Sequence, residues 1–169
     1  QYIIAEKGIH AINECMIRHE DSVPILTAGM EALYNIGNDE DAAEVVVELG
    51  IIDMTLQVLE KYDYEQELNR QTMRFLAVAM YSESCVLKFG QLNGVQKLLQ
   101  AIEARIDDVE FLGEAMQAVA NAASFESNRE QFLDSNGVVT LLQLFELHPA
   151  EKELMQYSVQ ALTRLAAND

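Results

Sequence analysis

Apolar positions along this chain recur at helical spacing in segments that follow a glycine. In the stretch 136–145, NGVVTLLQLF, the residues Val138, Leu141 and Phe145 stand one, four and eight positions after Gly137. Residues at this spacing lie on one face of an α-helix. An Asn-Gly pair usually indicates a hairpin, because both residues tolerate positive φ. Here the apolar spacing predicts that the pair ends one helix and starts the next.

The same arrangement occurs four times. Each copy has a short apolar segment, then a glycine followed by a helical segment, and then a third helical segment. Glycine adopts backbone conformations closed to other residues, so we predict that it joins two helices at a sharp angle in every copy. A period of about 43 residues indicates repeat units that bury an apolar face against their neighbours. The four glycines are Gly8, Gly50, Gly94 and Gly137.

The third helical segments align with one another as well as the glycines do. They read MEALYNIG, MRFLAVAM, MQAVANAA and VQALTRLA, and each begins with a large apolar residue. Because these residues occupy one position of the repeat, we expect them all to lie in the core between units. They are Met30, Met73, Met116 and Val159.

Units with one short and two longer helices resemble those of the armadillo family. That family has a glycine followed by an apolar residue between its first and second helices, and a third helix of the form AL-x-N-L. This chain has EALYNIG in the first unit and QAVANAA in the third, which places Asn35 and Asn121 at the family's asparagine position. The resemblance covers essentially the whole chain and implies an all-α fold, a right-handed α-solenoid of about four three-helix repeats. We expect one solenoid domain over 1–169, with units at about 1–38, 39–82, 83–125 and 126–169.

The resemblance also implies a binding groove. In the armadillo family the third helices line the concave face of the superhelix, and the asparagine often holds the backbone of an extended peptide. Nuclear-import receptors of this fold favour tryptophan one turn earlier, and this chain contains no tryptophan, so we do not expect import-signal binding. Carried over by position, the groove residues are Asn35, Val78, Asn121 and Arg164, one turn earlier Glu31, Arg74, Gln117 and Gln160, and beside them Arg70 and Glu114.

Arg70 and Arg74 stand four residues apart, on one helix face of the expected groove. Two neighbouring guanidinium groups can bind a carboxylate or a phosphate through paired hydrogen bonds, so one interpretation is a partner with an acidic or phosphorylated segment. The other interpretation is that both arginines pair with acidic neighbours across units. The sequence leaves both open.

Charge narrows the range of partners. The chain has 28 acidic and 11 basic residues and a formal net charge of −17. This charge repels phosphate backbones and anionic lipid headgroups, so we expect neither nucleic acid nor a membrane surface as a partner. The longest apolar runs are far shorter than the ~20 residues of a membrane span. Cys15 and Cys85 cannot build a framework or a zinc site, and we expect two buried, reduced thiols in a cytoplasmic or nuclear protein.

No catalytic or cofactor pattern stands out. The three histidines have no partner at ligand spacing, and the chain has no phosphate loop, nucleophile elbow or dinucleotide fingerprint. Asp107 and Asp108 suggest acid–base chemistry, but adjacent residues on a helix point in different directions, so we expect both to be surface charge. We therefore expect no enzyme activity, no metal and no cofactor.

Two hypotheses for function remain. The first is a non-enzymatic interaction scaffold that binds an extended peptide or a partner helix in the groove. The alternative is a structural or regulatory repeat segment that docks or spaces other domains of a larger protein. We expect both ends to be truncated, to expose apolar surface and to allow self-association.

Overall fold

The computed structural model describes residues 2–36 and 40–167, and every regular element in this part of the chain is an α-helix. The all-α class is therefore confirmed. The expected boundary between the first two units, at 38/39, lies outside the described residues. The helices are α1 Tyr2–Arg18, α2 Val23–Ile36, α3 Glu40–Glu48, α4 Ile51–Lys61, α5 Gln66–Ala79, α6 Glu83–Gln91, α7 Gly94–Ala104, α8 Val109–Ala122, α9 Glu126–Asp134, α10 Gly137–Leu147 and α11 Lys152–Leu165.

From residue 40 onwards the helices repeat in length. Helices of 9, 11 and 14 residues follow one another three times, as α3 to α5, α6 to α8 and α9 to α11. This order matches the prediction of one short and two longer helices in a unit. The first unit differs, because it consists of α1 with 17 residues and α2 with 14.

The predicted helix junction at Gly8 is wrong, because α1 runs without a break from Tyr2 to Arg18. A Cβ atom built at Gly8 would lie 3.8 Å from Ile36 Cδ1, which is an ordinary contact. No described neighbour therefore requires glycine or a turn at this position. One continuous helix satisfies the apolar spacing on both sides of it.

The positions of the junctions in the other three units are confirmed, but the predicted reason, a glycine conformation closed to other residues, holds only for Gly50. Gly50 itself has a positive φ of 71° at the start of α4. In the next two units the positive φ belongs to Asn93 and Asn136, at 55° and 59°, and the glycine that follows is the first residue of a helix. Gly94 is needed for close approach instead, since a Cβ atom there would lie 2.4 Å from the buried ring of Phe89.

Successive units pack helix against corresponding helix. The helix α2 contacts α5, α5 contacts α8 and α8 contacts α11, and we call these four helices the third-helix row. The other helices make similar contacts between units, α3 with α6, α4 with α7 and α7 with α10. The core lies between these layers, and each layer is closed by the next.

The predicted core position of the third helices is confirmed in three units. Met30, Met73 and Met116 are 0% exposed. The prediction is wrong for Val159, which is 52% exposed. It lies on α11, the last described helix, and no later described helix packs over it.

Each unit is also bonded to the one before it at the end of its second helix. The C-cap residues of α4, α7 and α10 all reach a backbone carbonyl of the preceding unit. Carbonyl groups at and beyond the end of a helix lack an intrahelical donor, so these side chains satisfy them. The pairs are Tyr62 Oη with Glu20 O at 2.7 Å, Arg105 Nη2 with Leu59 O at 3.2 Å and His148 Nε2 with Ile106 O at 2.6 Å.

Replacing Gly94 with alanine should lower the free energy of unfolding by about 1–3 kcal/mol, because the new methyl group must displace the buried Phe89 ring. The matched control is Gly113→Ala in α8, where a Cβ atom would meet nothing within 4 Å. That change should raise the free energy of unfolding by about 0.5–1 kcal/mol, because alanine is the better helix former. Urea unfolding measures both, and equal effects would contradict the packing around Gly94.

Candidate protein interface on the third-helix row

All ten residues predicted to line a groove lie on the third-helix row. The outer helices α2 and α11 expose theirs to solvent, whereas the inner helices α5 and α8 hold theirs half-buried or buried. The exposed residues are Glu31, Asn35, Gln160 and Arg164, and the others are Arg70, Arg74, Val78, Glu114, Gln117 and Asn121.

Arg70 is bound to the following unit. Its Nη2 donates to Asp108 Oδ1 at 3.0 Å and its Nε to the same oxygen at 3.2 Å, and Nη1 forms an ion pair with Glu110. The hydrogen bond to Asp108 raises the pKa of Arg70 above its ordinary value. Of the two interpretations left open by the sequence, the structure contains the pairing across units.

The expectation that Asp108 is a surface charge is wrong. Its side chain is 11% exposed, and Oδ1 also accepts a hydrogen bond from Phe111 N at 3.1 Å. Asp108 is therefore the N-cap of α8 as well as the partner of Arg70. Asp107, its neighbour in sequence, is exposed as expected.

Arg74 links three helices of the row. Its guanidinium carbon lies 4.3 Å from the centroid of the Tyr34 ring on α2, and Nη1 donates to Gln71 Oε1 at 3.3 Å. Nε lies 3.7 Å from Glu114 Oε1 on α8. Burial raises the pKa of Glu114, and the charge of Arg74 opposes that rise. The Tyr34 contact was not predicted, because it depends on the packing of α2 against α5.

The row of asparagine positions is not uniform. Asn121 is buried, and its Nδ2 donates to the Ala77 carbonyl of α5 at 3.0 Å. Arg164, at the same position of the last unit, donates to Ser124 Oγ. Two of these side chains therefore bind the preceding unit, whereas Asn35 is exposed to solvent.

A cleft of about 500 Å³ opens on the third-helix row between α8 and α11. It contains two predicted groove residues, Glu114 and Gln117, and it is roomy at Gly113, where no side chain projects. Tyr157 of α11 forms part of the opposite wall. The remaining lining residues are Val109, Glu110, Ala150, Glu151, Lys152, Glu153 and Leu154.

The repeat has a cleft of about 540 Å³ at the corresponding place between α5 and α8, and that cleft contains Arg70. Gly113 and Gln117 stand 43 residues after Arg70 and Arg74, at the same positions of the next third helix. The helix α8 therefore has no guanidinium group where α5 has two. A glycine inside a strongly helical pattern is a visible signal in the sequence, but its consequence depends on what the preceding unit has at that position.

The unit that follows Gly113 still has carboxylates at the two positions that bind Arg70 in the unit before it. Asp108 and Glu110, which bind Arg70, correspond to Glu151 and Glu153 in the next unit. Neither Glu151 nor Glu153 forms an ion pair with a described residue. The cleft thus presents two carboxylates that lack the arginine bound by their counterparts.

Other candidate chemistry is limited in the described residues. Cys15 is exposed, contrary to expectation, because it lies on the outer side of α1. Cys85 is buried, and burial raises the pKa of its thiol to about 11. No group of three or more His, Cys, Asp or Glu side chains in the described part of the chain could hold a metal ion. None of the described helices combines the length and the apolarity needed to cross a membrane.

No family model and no curated protein matches this chain. It is similar to the crystal structure of an engineered protein from the Northeast Structural Genomics Consortium, with a TM-score of 0.83 over 94% of this chain. The sequence identity is 21%, and this chain spans 62% of the engineered chain. At that identity the likeness shows the fold alone.

Replacing Asp108 with alanine should lower the free energy of unfolding by about 1–2 kcal/mol, because both the α8 cap and the partner of Arg70 are lost. Asp107→Ala removes the same charge from an exposed neighbour and should change stability by less than about 0.5 kcal/mol. Thermal and urea unfolding of both variants decide the matter. Similar losses from the two changes would contradict the capping role.

Proposed function

We propose that this chain is a non-enzymatic scaffold for protein–protein interaction, built as an armadillo-type α-solenoid, which binds an extended peptide along the third-helix row. The observation that carries the proposal is the cleft between α8 and α11, where Glu151 and Glu153 lack an arginine. The threefold recurrence of 9-, 11- and 14-residue helices supports the solenoid architecture. The proposal includes no catalytic or cofactor chemistry and assigns the protein to the cytoplasm or the nucleus.

The dimensions of the third-helix row suit an extended chain. Packed helices lie about 8–10 Å apart, and an extended peptide rises about 3.3 Å per residue. Every third residue of such a peptide therefore meets the next helix of the row. A side chain at that spacing can enter the cleft beside Gly113, while exposed groups such as Asn35 and Gln160 contact the peptide further along.

The cleft favours a basic side chain. Four glutamates and one lysine line it, and Tyr157 offers an aromatic face to a cation. An acidic or phosphorylated partner, which was one interpretation of Arg70 and Arg74, would have to displace the carboxylates that already bind these arginines. A segment with arginine or lysine can instead place its positive charge beside Gly113, at the repeat position where α5 has Arg70. The net charge of −17 attracts such a segment.

The alternative function, docking or spacing of other domains, is favoured by one observation. Val159 and Leu142 are more than half exposed at the end of the described stack. Apolar side chains on such a surface suit a partner domain. This alternative concerns the end of the stack and leaves the cleft unused.

The first test is binding of a fluorescently labelled extended peptide with arginine at every third position, followed by anisotropy. We expect it to bind more tightly than the same peptide with citrulline, the neutral isostere of arginine, or with glutamate or phosphoserine. Tighter binding of the glutamate or phosphoserine peptide would restore the acidic-partner hypothesis. If none of these peptides binds, the peptide-scaffold function fails.

Gly113→Arg is the most informative variant, because it places an arginine of the chain itself in the cleft. It should raise the free energy of unfolding by about 1 kcal/mol, through better helix propensity and pairing with the glutamates of α11. It should also weaken binding of the arginine peptide about tenfold or more, since the new guanidinium group would occupy the carboxylates that the peptide needs. Unchanged affinity would place the binding site elsewhere.

The double variant Glu151→Gln, Glu153→Gln should weaken binding of the arginine peptide to a similar extent, because it removes the proposed acceptors. Its matched control is Glu14→Gln, Glu48→Gln, which removes two charges from exposed positions on α1 and α3. The control should change affinity by less than about twofold, because distant exposed charges are screened by salt.

A further inference from the structure

Two faces of the described chain are more exposed than the corresponding faces inside it. On α10 and α11, Leu142 and Val159 are 51% and 52% exposed. The same repeat positions in the preceding unit are Leu99 and Met116, which are 4% and 0% exposed where α10 and α11 pack on that unit. We call Leu142, Val159 and the nearby Glu146 the trailing face.

The other exposed face lies on α2. Ile25 is half-buried, but its counterpart in the next unit, Leu68, is 0% exposed where α5 packs on α2. Ala32 and its counterpart Phe75 differ in the same way. These positions recur at helical spacing along one side of the helix. The leading face consists of Ile25, Ala28, Ala32 and Ile36.

An acidic residue at one position of the second helices is bonded to the following unit inside the chain, but not on the trailing face. Glu60 accepts a hydrogen bond from Lys97 at 3.2 Å, and Glu103 accepts one from Thr140 at 3.1 Å. In both cases the donor belongs to the second helix of the following unit. Glu146 stands 43 residues after Glu103 on α10, is exposed, and has no such donor among the described residues.

We propose that a second copy of this chain packs head to tail, with its leading face on the trailing face of the first. This arrangement continues a contact that the chain already makes three times, between α2 and α5, α5 and α8, and α8 and α11. Ala11 on α1 corresponds to Lys97, and the exposed Lys7 lies one turn away. Lys7 of the second copy therefore brings a positive charge to the side where Glu146 lies.

The geometry makes this association open-ended. A head-to-tail contact uses different surfaces on the two copies, so each added copy leaves both kinds of face free at the ends of the assembly. The net charge of −17 on each copy opposes association. Added salt screens that repulsion, so the assembly should strengthen as ionic strength rises.

Sedimentation velocity of the intact chain over a range of concentrations tests the proposal. We expect a shift from monomer to dimer and larger species as concentration rises, and a larger shift at about 500 mM than at about 50 mM NaCl. Val159→Glu and Ala28→Glu each block one face. Each variant alone should associate at least about tenfold more weakly than the unmodified chain. Both positions are exposed, so the fold should be retained, which circular dichroism checks.

Mixing the two variants is the decisive measurement. Val159→Glu retains its leading face and Ala28→Glu retains its trailing face, so an equimolar mixture should form a 1:1 dimer that grows no further. The matched control is Leu87→Glu on α6, which introduces the same charge at a leucine that is 45% exposed and belongs to neither face. It should associate as the unmodified chain does.

Three results would overturn the proposal. The first is an unmodified chain that stays monomeric at every concentration and salt level. The second is Ala28→Glu associating as strongly as the unmodified chain, since that would mean that two trailing faces pair with each other. The third is a mixture of the two variants that remains monomeric while the unmodified chain associates. The peptide-binding experiment tests the cleft beside Gly113, so failure of the head-to-tail assembly would not by itself contradict peptide binding.

Discussion

Burial between neighbouring units is the interaction on which the rest of this structure depends. Helices of 9, 11 and 14 residues form too small a set to enclose a core alone, so a residue such as Met73 reaches 0% exposure only with neighbouring units packed around it. The same packing removes helix-end carbonyls from water. Side chains such as Arg105 then satisfy those carbonyls from the following unit, and burial lowers the pKa of Arg105 itself.

The basic residues are largely used in holding the units together. The ion pairs of Lys61, Arg70, Arg74 and Lys97 all join adjacent units. Pairs that are partly exposed contribute about 0–1 kcal/mol each, so they fix the register of the units more than they stabilise the chain. Each pair also uses a carboxylate, so the net charge of −17 is carried by the remaining acidic residues. Arg70 and Arg74, the two residues that suggested an acidic partner, are both among these paired cations.

The periodicity of the sequence was enough to predict the helix order from residue 40 onwards and the membership of the third-helix row. It failed where a property depends on what a neighbour does. Gly8 matches the glycine spacing, yet nothing there resembles the Phe89 ring that requires glycine at position 94. Val159 matches the core position, yet burial at that position requires a following helix.

The candidate site was harder to predict than the fold for the same reason. Its residue types and helices follow from the repeat, but whether an arginine is free depends on carboxylates contributed by another unit. Asp107 and Asp108 were both expected to be surface charge, because adjacent residues on a helix point in different directions. One residue of difference places Asp108 at the helix cap and within reach of Arg70. The cleft beside Gly113 became apparent from comparing two units position by position in the structure.

The cleft and the end faces lie on different surfaces, so one copy can bind a peptide in its cleft and another copy at its end face at the same time. A head-to-tail assembly would extend the third-helix row from α11 of one copy to α2 of the next, so that the clefts repeat at a fixed interval along one surface. A partner with several basic segments could then bind several clefts at once, and its affinity would rise through effective concentration without any new contact. Binding of such a partner also neutralises part of the charge of −17 that opposes association of the copies. Partner binding and self-association would therefore reinforce each other, because each lowers the free-energy cost of the other.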